Sequence, residues 1–297
     1  GPEKQGAIGW SHENRWVILV RIMPNITYKG PLADSSFRRM AMGVWDLPGD
    51  PTIYGYMDID MRRAMARLEG LKAEGHRVTV THLVARACAL AIDSLEDLNA
   101  MPRLGRAYQR ETVDIFIQVA LPSEDGLGKA DLSGVKIRSA DTKAIEAFAV
   151  EFKERADRVR SGKDEEIKAS KASINRTPRW LMRPMLRILR FVQFTLNIDL
   201  RWMGVARDPF GSALVSSVGM LGVDGAFAPL FPIGGPPIVM TVGAVQPRPI
   251  VDEDGSIIAA PVLRLGGSFD HRVYDGFHLA TFGNALRRFL ERDVDAL

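Results

Sequence analysis

The sequence predicts a two-layer α/β protein, with helices packed on a mixed β-sheet. Residues 52–60 alternate between apolar and polar positions as a β-strand does, and residues 61–74, which follow directly, have the apolar spacing of a helix. Three more strands are predicted near the end of the chain, at 212–218, 238–245 and 260–269. Apolar residues form 46% of the 297 residues, which is enough for one sizeable core. These features favour a single α/β domain.

The helices are predicted from apolar periodicity and from residues that begin or end helices. They are expected at 35–42, at 61–74, from 79 onward, at 142–160 and at 274–292. The helix that begins at Thr79 places Cys88 among its apolar positions. We therefore interpret Cys88 as a small core residue rather than a nucleophile.

Turn residues indicate how the predicted strands are connected. Residues 113–121 form a β-rich run, which is followed by a glycine-containing turn at 125–128. The acidic, glycine-containing stretch at 251–256 has the composition of a hairpin turn. The strands on either side of it are therefore predicted to be antiparallel.

Composition narrows the classes of function. The chain has 39 basic and 36 acidic residues, so nucleic acid is not the expected partner. The single cysteine excludes an internal disulfide framework and a cysteine-based zinc site, and no metal is expected. No run approaches the roughly 20 apolar residues of a membrane span, and a cytoplasmic location is expected. Residues 1–33 are predicted to be an N-terminal arm that starts with a protease-cleavage scar, and 34–297 the domain itself.

A histidine lies at the predicted junction between the last strand and the last helix. Residues 270–276 have the sequence DHRVYDG, with His271 second. Such a junction holds side chains rigidly and leaves them accessible, so a site there is plausible on physical grounds. Taken alone, however, a histidine next to a helix start is more often a cap or a satisfied polar group.

The pattern Asp-His-Arg-x-x-Asp-Gly resembles the signature of the catalytic domain of dihydrolipoamide acyltransferases. These are core components of 2-oxoacid dehydrogenase complexes and share a fold with chloramphenicol acetyltransferase. Further similarity recurs in the same order along the chain, at 38–41, 80–100, 113–115, 125–127, 140–143, 160–163 and 215–222. The resemblance covers about 34–162 and 210–297, and it implies a chloramphenicol-acetyltransferase-like, trimeric α/β fold.

The resemblance also implies roles for individual residues. His271 would be the general base, Ser216 the hydroxyl that stabilises the oxyanion, and Asp275 a structural carboxylate. Arg39 is the expected partner of Asp275, with Arg38 as the alternative, while Asp270 and Gly276 would support the site. The chemistry is consistent, because an imidazole can deprotonate a thiol near neutral pH and a hydroxyl can donate to a tetrahedral oxygen.

The implied reaction moves an acyl group between a dihydrolipoyl-type thiol and coenzyme A. The lipoyl group would belong to a separate carrier protein, and 2-oxoacid dehydrogenase components would be further partners. In this family the active site lies between subunits, so His271 of one chain would meet Ser216 of the next in a homotrimer. Assembly beyond a trimer stays open.

Two other functions stay open at this point. The chain could be a non-catalytic trimeric scaffold or membrane-associated assembly protein of the same fold. It could also be an acyltransferase whose acceptor is a different, small molecule. Ser217 stands where the family commonly has asparagine, which bears on the acyl group or the carrier that is preferred.

A helical insertion is predicted at about 164–209, where the family has a much shorter segment. Arginines at 179, 183, 187 and 190 form one stripe of a helix, and apolar side chains crowd the rest of its surface. Pro184 predicts a kink or a late helix start. Residues 176–203, with Trp180 and Trp202 near the ends, could lie on an anionic membrane surface or dock a partner. The alternative is a helical hairpin packed on its own trimer.

Overall fold

The computed structural model describes residues 24–32, 35, 50–121, 131–162, 177–232 and 234–297. Several predicted features lie outside the described residues. They are the helix at 35–42 apart from Ser35, the turn at 125–128, and Arg38 and Arg39.

Groups of strands are followed by groups of helices through the described part of the chain. The strands are β1 (Tyr28–Pro31), β2 (Thr52–Asp60), β3 (Ala100–Arg103), β4 (Arg106–Arg110), β5 (Ile115–Leu121), β6 (Asp131–Ile137), β7 (Ala213–Ser217), β8 (Ile238–Val251) and β9 (Ile257–Asp270). The helices are α1 (Arg62–Ala73), α2 (Val80–Asp93), α3 (Ile145–Arg160), α4 (Arg179–Arg190) and α5 (Gly276–Glu291).

Six strands form the main sheet, in the order β2-β9-β8-β7-β5-β6. β7 runs parallel to β5 and β8, and the remaining pairs are antiparallel, so the predicted mixed sheet is confirmed. β8 and β9 form the predicted antiparallel hairpin, but β8 continues to Val251, six residues beyond the predicted end. The predicted end was too early because the apolar–polar alternation weakens there. A register shift between Val242 and Val245 is followed by two prolines.

The sheet has one face covered by helices and one face that is more open. Ile117 and Val215 are buried in the same core as Phe148 of α3 and Leu286 of α5. Successive side chains of a strand point to opposite faces, so Ser216, which is half-buried, lies on the side away from this core. The more open face is where the polar side chains of the sheet are found.

The helix ends follow the predicted signals with small shifts. Thr79 caps α2 through a reciprocal capping box with His82, and Cys88 is fully buried, which confirms it as a core residue. Burial raises the pKa of the Cys88 thiol to about 12. Instead of starting at 142, α3 starts at Ile145, because residues 140–142 form a separate 3₁₀ turn. The helix α4 begins at Arg179 and contains Pro184, so of the two predicted alternatives, a kink or a late start, the late start is wrong.

A second, three-stranded sheet with the order β1-β4-β3 was not predicted. The end of the insertion packs on it. Phe194 is buried with Ile26 and Met101, and the Asn197 side chain both accepts from the Ile26 N–H and donates to its carbonyl, each at 2.7 Å. The insertion is therefore fastened to the body of the domain through residues that follow α4.

Candidate active site

His271 lies in the turn that joins β9 to α5. Its backbone N–H donates to the Pro51 carbonyl at 2.8 Å, and its Nδ1 lies 2.6 Å from the Tyr274 carbonyl oxygen. A carbonyl oxygen can only accept a hydrogen bond, so Nδ1 carries the proton in this arrangement. In the neutral ring the lone pair is then on Nε2, which is the state that a general base requires.

The carbonyl that orients His271 is the backbone carbonyl of Tyr274, a residue whose side chain is buried in the core. Tyr274 is fully buried, and its hydroxyl donates to the Leu98 carbonyl at 2.9 Å. Burial raises the pKa of this hydroxyl far above its usual range, so Tyr274 is held neutral. No role was predicted for Tyr274 from the sequence. Its contribution comes from the backbone oxygen, for which a sequence offers no signal.

Asp270 fixes the other side of the same turn. Its buried carboxylate accepts from the Arg272 guanidinium at 2.6 and 3.0 Å, and its backbone carbonyl accepts from the Val273 and Tyr274 N–H groups at 3.0 Å. The hydrogen bonds that Arg272 donates to Asp270 raise the pKa of Arg272 despite its partial burial. Asp270 therefore lies where a residue that supports the His271 turn is expected.

Asp275 is the N-cap of α5, and Gly276 is the first residue of that helix. The Asp275 Oδ1 accepts from the Phe277 and His278 N–H groups at 3.0 and 3.2 Å and lies 2.6 Å from His278 Nδ1. Burial would raise the pKa of Asp275, but the hydrogen bonds from His278 and from the helix amides lower it. The expected pairing with Arg39 stays a prediction, because Arg39 lies outside the described residues.

Ser216 lies on β7, on the face of the sheet away from the helices. Its hydroxyl donates to Gln118 Oε1 on the adjacent β5 at 2.6 Å. On the other side, Ser216 is in register with Thr241 of β8. Three polar side chains thus form a row across three strands. Gln118 was missed, although a lone polar residue in the apolar run of β5 was a signal that could have identified it.

His271 and Ser216 are far apart within one chain. Ser216 is in register with Thr241, and Thr241 with Gly266 of β9, so two strand spacings separate Ser216 from β9. His271 comes five residues after Gly266. With about 4.8 Å per strand spacing and about 3.3 Å per residue, the two residues are about 19 Å apart. They cannot act on one atom unless they come from different chains.

In the part of the chain that the structure describes, no group of three or more His, Cys, Asp or Glu side chains is placed to hold a metal ion. Within the same residues, each helix is too short or too polar to cross a membrane.

The sequence matches a known family over most of its length. Residues 47–176 and 210–297 match the family described as 2-oxoacid dehydrogenases acyltransferase (catalytic domain). The chain belongs to this acyltransferase family. The match leaves out residues 177–209, which contain α4 and the segment that packs on the small sheet.

Relatives in the acyltransferase family are longer proteins. The chain is 26% identical to the dihydrolipoyllysine-residue acetyltransferase component of pyruvate dehydrogenase complex from Zymomonas mobilis, over 83% of this chain and 46% of that protein. It is 23% identical to the lipoamide acyltransferase component of branched-chain alpha-keto acid dehydrogenase complex from Bacillus subtilis, over 81% of this chain and 47% of that protein. The chain thus spans about half the length of these relatives.

Solved structures of the acyltransferase family have the same fold. Dihydrolipoamide acetyltransferase from Azotobacter vinelandii aligns with a TM-score of 0.60 and 22% identity, over 83% of this chain and 84% of that one. A truncated catalytic core of the 2-oxoacid dehydrogenase multienzyme complex from Thermoplasma acidophilum aligns with a TM-score of 0.57 and 20% identity, over 88% and 97%. The predicted α/β fold with a mixed sheet is therefore confirmed, and the trimer stays a prediction.

Proposed function

We propose that this chain catalyses reversible transfer of an acyl group between a dihydrolipoyl-type thiol and coenzyme A. The observation that carries the proposal is the contact of His271 Nδ1 with the Tyr274 carbonyl, at 2.6 Å. It fixes the tautomer in which Nε2 can take a proton. Family membership then supplies the reaction in which that base works.

The chemistry needs a base and an oxyanion donor, and no protein nucleophile. His271 Nε2 takes the proton of the attacking thiol, and the sulfur adds to the carbonyl carbon of the thioester. The Ser216 hydroxyl donates to the oxygen of the tetrahedral intermediate, for which it must turn away from Gln118. The intermediate then expels the second thiolate, which takes the proton back from the imidazolium. One C–S bond forms and one breaks.

The active site is proposed to lie between subunits of a homotrimer. The separation of about 19 Å between His271 and Ser216 in one chain supports a site that takes the two residues from different chains. In a closed threefold ring each interface is the same, so His271 of each chain can face Ser216 of the next. The cubic core of a pyruvate dehydrogenase complex, which has the same fold, supports a larger assembly as an extension of this arrangement.

The names of the relatives support the lipoyl chemistry. Both curated relatives act on lipoyl groups as components of 2-oxoacid dehydrogenase complexes. The Azotobacter structure comes from an investigation of a serine, a histidine and an asparagine in catalysis, with the asparagine four positions after the histidine. Asp275 occupies the corresponding spacing after His271, so an acid replaces the amide here. A separate lipoyl-carrier protein and the other components of such a complex are the proposed partners.

The test is transfer between acetyl-coenzyme A and dihydrolipoamide, measured as chromatographic conversion of acetyl-coenzyme A to coenzyme A. We expect turnover by the full chain and a loss of at least about 10²-fold in the His271→Ala variant, because that variant lacks the base. His76→Ala, which alters an exposed histidine far from His271 in the sequence, is the matched control.

The same assay separates the alternatives. Transfer to another thiol or to a small alcohol, but not to dihydrolipoamide, would keep the role of His271 and reject the lipoyl acceptor. Absence of transfer to every acceptor, by a protein shown to be folded and trimeric, would favour the scaffold. Turnover of His271→Ala close to that of the wild type would reject the mechanism.

A further inference from the structure

Helix α4 belongs to the insertion and presents an apolar surface that the described part of the chain leaves uncovered. The side chains of Trp180, Ile188 and Phe191 are 78%, 65% and 53% exposed, and Leu181 is also exposed. Exposed aromatic and branched side chains on one helix are unusual for a protein surface unless something covers them. Among the described side chains of α4, none is fully buried.

The exposed residues of α4 form one continuous face. At about 100° per residue, positions 180, 181, 183, 184, 187, 188 and 191 span an arc of about 160°. All of these residues are exposed. Arg183 and Arg187 lie at one edge of the arc, and the remaining five side chains, which are apolar, fill the rest. We call this set the α4 outer face.

The inner side of α4 is partly covered. Met182, Met185, Leu186 and Leu189 are half-buried. Arg190 lies between the two sides of the helix and is close enough to Arg272 and Asp270 to feel their charges. The end of α4 at Arg190 therefore lies near the turn that carries His271.

The charge of the segment is one-sided. Between Glu166 and Asp199 the sequence contains no acidic residue. Over the same stretch, lysine or arginine occupies positions 168, 171, 176, 179, 183, 187 and 190. No nearby carboxylate in the sequence of the helix can neutralise Arg183 or Arg187, so the outer face combines apolar side chains with cations that favour an anionic partner.

We propose that the α4 outer face docks on an anionic lipid bilayer surface. Trp180, Ile188 and Phe191 would enter the boundary between head groups and acyl chains, where tryptophan is favoured because its ring is large and its N–H is polar. Arg183 and Arg187, at the edge of the same face, can reach the head-group phosphates while their aliphatic stems stay on the apolar side. An anionic bilayer thus offers partners both to the apolar side chains and to the two arginines of the α4 outer face. Docking would place the His271 turn close to the membrane.

The test is flotation of the full chain with vesicles of phosphatidylcholine alone, or of phosphatidylcholine with phosphatidylglycerol, at low and high salt. We expect binding to the anionic vesicles at low salt and release as salt rises, because the Debye length falls from about 10 Å at 0.1 M to about 3 Å at 1 M. Arg183→Gln/Arg187→Gln should bind about 30-fold more weakly, since each arginine near an anionic surface contributes about fivefold.

A matched double variant separates local docking from general charge. Arg63 of α1 and Arg158 of α3 are exposed arginines on other helices, so Arg63→Gln/Arg158→Gln removes the same net charge elsewhere. This control should bind as the wild type does. Trp180→Ser should weaken binding without altering charge. Because the substituted side chains are exposed, the unfolding midpoints of these variants should stay close to that of the wild-type protein.

Three results would overturn the proposal. The first is absence of binding to anionic vesicles at low salt. The second is equal weakening by the control variant, which would mean that net charge alone drives binding. The third is a change of oligomeric size in Arg183→Gln/Arg187→Gln or Trp180→Ser, measured by analytical ultracentrifugation, with no effect on vesicle binding. That result would place the α4 outer face between copies of this chain.

Discussion

Mixing two inactive variants tests whether His271 and Ser216 act across a subunit interface. His271→Ala and Ser216→Ala chains are prepared separately, combined in equal amounts, unfolded and refolded together. His271 is half-buried in a turn and Ser216 is half-buried on a strand, so neither change opens a large cavity in the core. Both variants are expected to fold and to assemble.

The expected activity follows from the geometry of a closed ring. Each interface takes the histidine from one chain and the serine from the next. In a random one-to-one mixture, the histidine is intact at half of the interfaces and the facing serine is intact at half of those. About one quarter of the interfaces therefore carry both groups, and the mixture should recover about one quarter of wild-type turnover. If both groups came from the same chain, the mixture would recover nothing.

The assay is conversion of acetyl-coenzyme A with dihydrolipoamide, compared with each variant refolded alone and with wild type refolded by the same procedure. An affinity tag on one variant allows the mixed trimers to be captured and their composition to be verified. Activity of verified mixed trimers that is no greater than that of the parent variants would refute the composite site.

Two further changes test single groups. Ser216→Ala should lower kcat by about 10²-fold with little change in KM, as expected for loss of one oxyanion donor, and an effect confined to KM would contradict that role. Asp208→Asn should lower the free energy of unfolding by about 3–5 kcal/mol in urea denaturation, because it leaves the buried Arg110 guanidinium without its carboxylate. Asp254→Asn, in the exposed hairpin turn, should have little effect. Burial would raise the pKa of Asp208, but Arg110 and Lys136 lower it below the unfolded value. The stabilisation is therefore present above the unfolded pKa of about 3.9 and lost as pH falls through the folded pKa.

The elements that the sequence predicted are those with a long apolar pattern. The strand at 52–60 and the helix from Thr79 were found because many apolar side chains recur at one period and face one core. β1, β3 and β4 were missed because they are four or five residues long and carry charged residues or proline. Their stability comes from pairing with neighbouring strands and from contacts with the inserted segment. Neither can be read from the residues of the strands themselves.

β6 was missed for a different reason. Gly134 lies in the middle of it, and a glycine lowers confidence in any strand assignment. In the structure the ring of Phe116, on the neighbouring β5, occupies the space above Gly134, where a Cβ would lie 2.1 Å from a ring carbon. The glycine is required by a cross-strand contact. A single sequence does not reveal that contact, because the register of the two strands is not known beforehand.

The residues of the candidate site could be predicted where they belong to the sequence motif, but the contacts that orient them could not. His271, Asp270 and Asp275 were found together because they lie within six residues. The contacts that orient them were not found. The Tyr274 carbonyl sets the tautomer of His271, and His278 contacts Asp275 across the first turn of α5. A carboxylate followed three residues later by a hydrogen-bonding side chain is a known capping pattern, so the role of His278 could have been inferred.

The end of the insertion also makes buried contacts on which the rest of the domain depends. Asp208 lies just before β7 and forms a buried ion pair with Arg110 of β4. Its backbone N–H donates to the Asn25 side chain, which also accepts from Gln193 near the end of α4. Deleting residues 177–209 would therefore remove the carboxylate that compensates Arg110 and disturb the start of the strand that carries Ser216. Loss of activity in such a deletion would not reveal what α4 does, since the sheet itself would be altered. Substitutions confined to the α4 outer face leave these buried contacts in place, so they isolate the contribution of the helix.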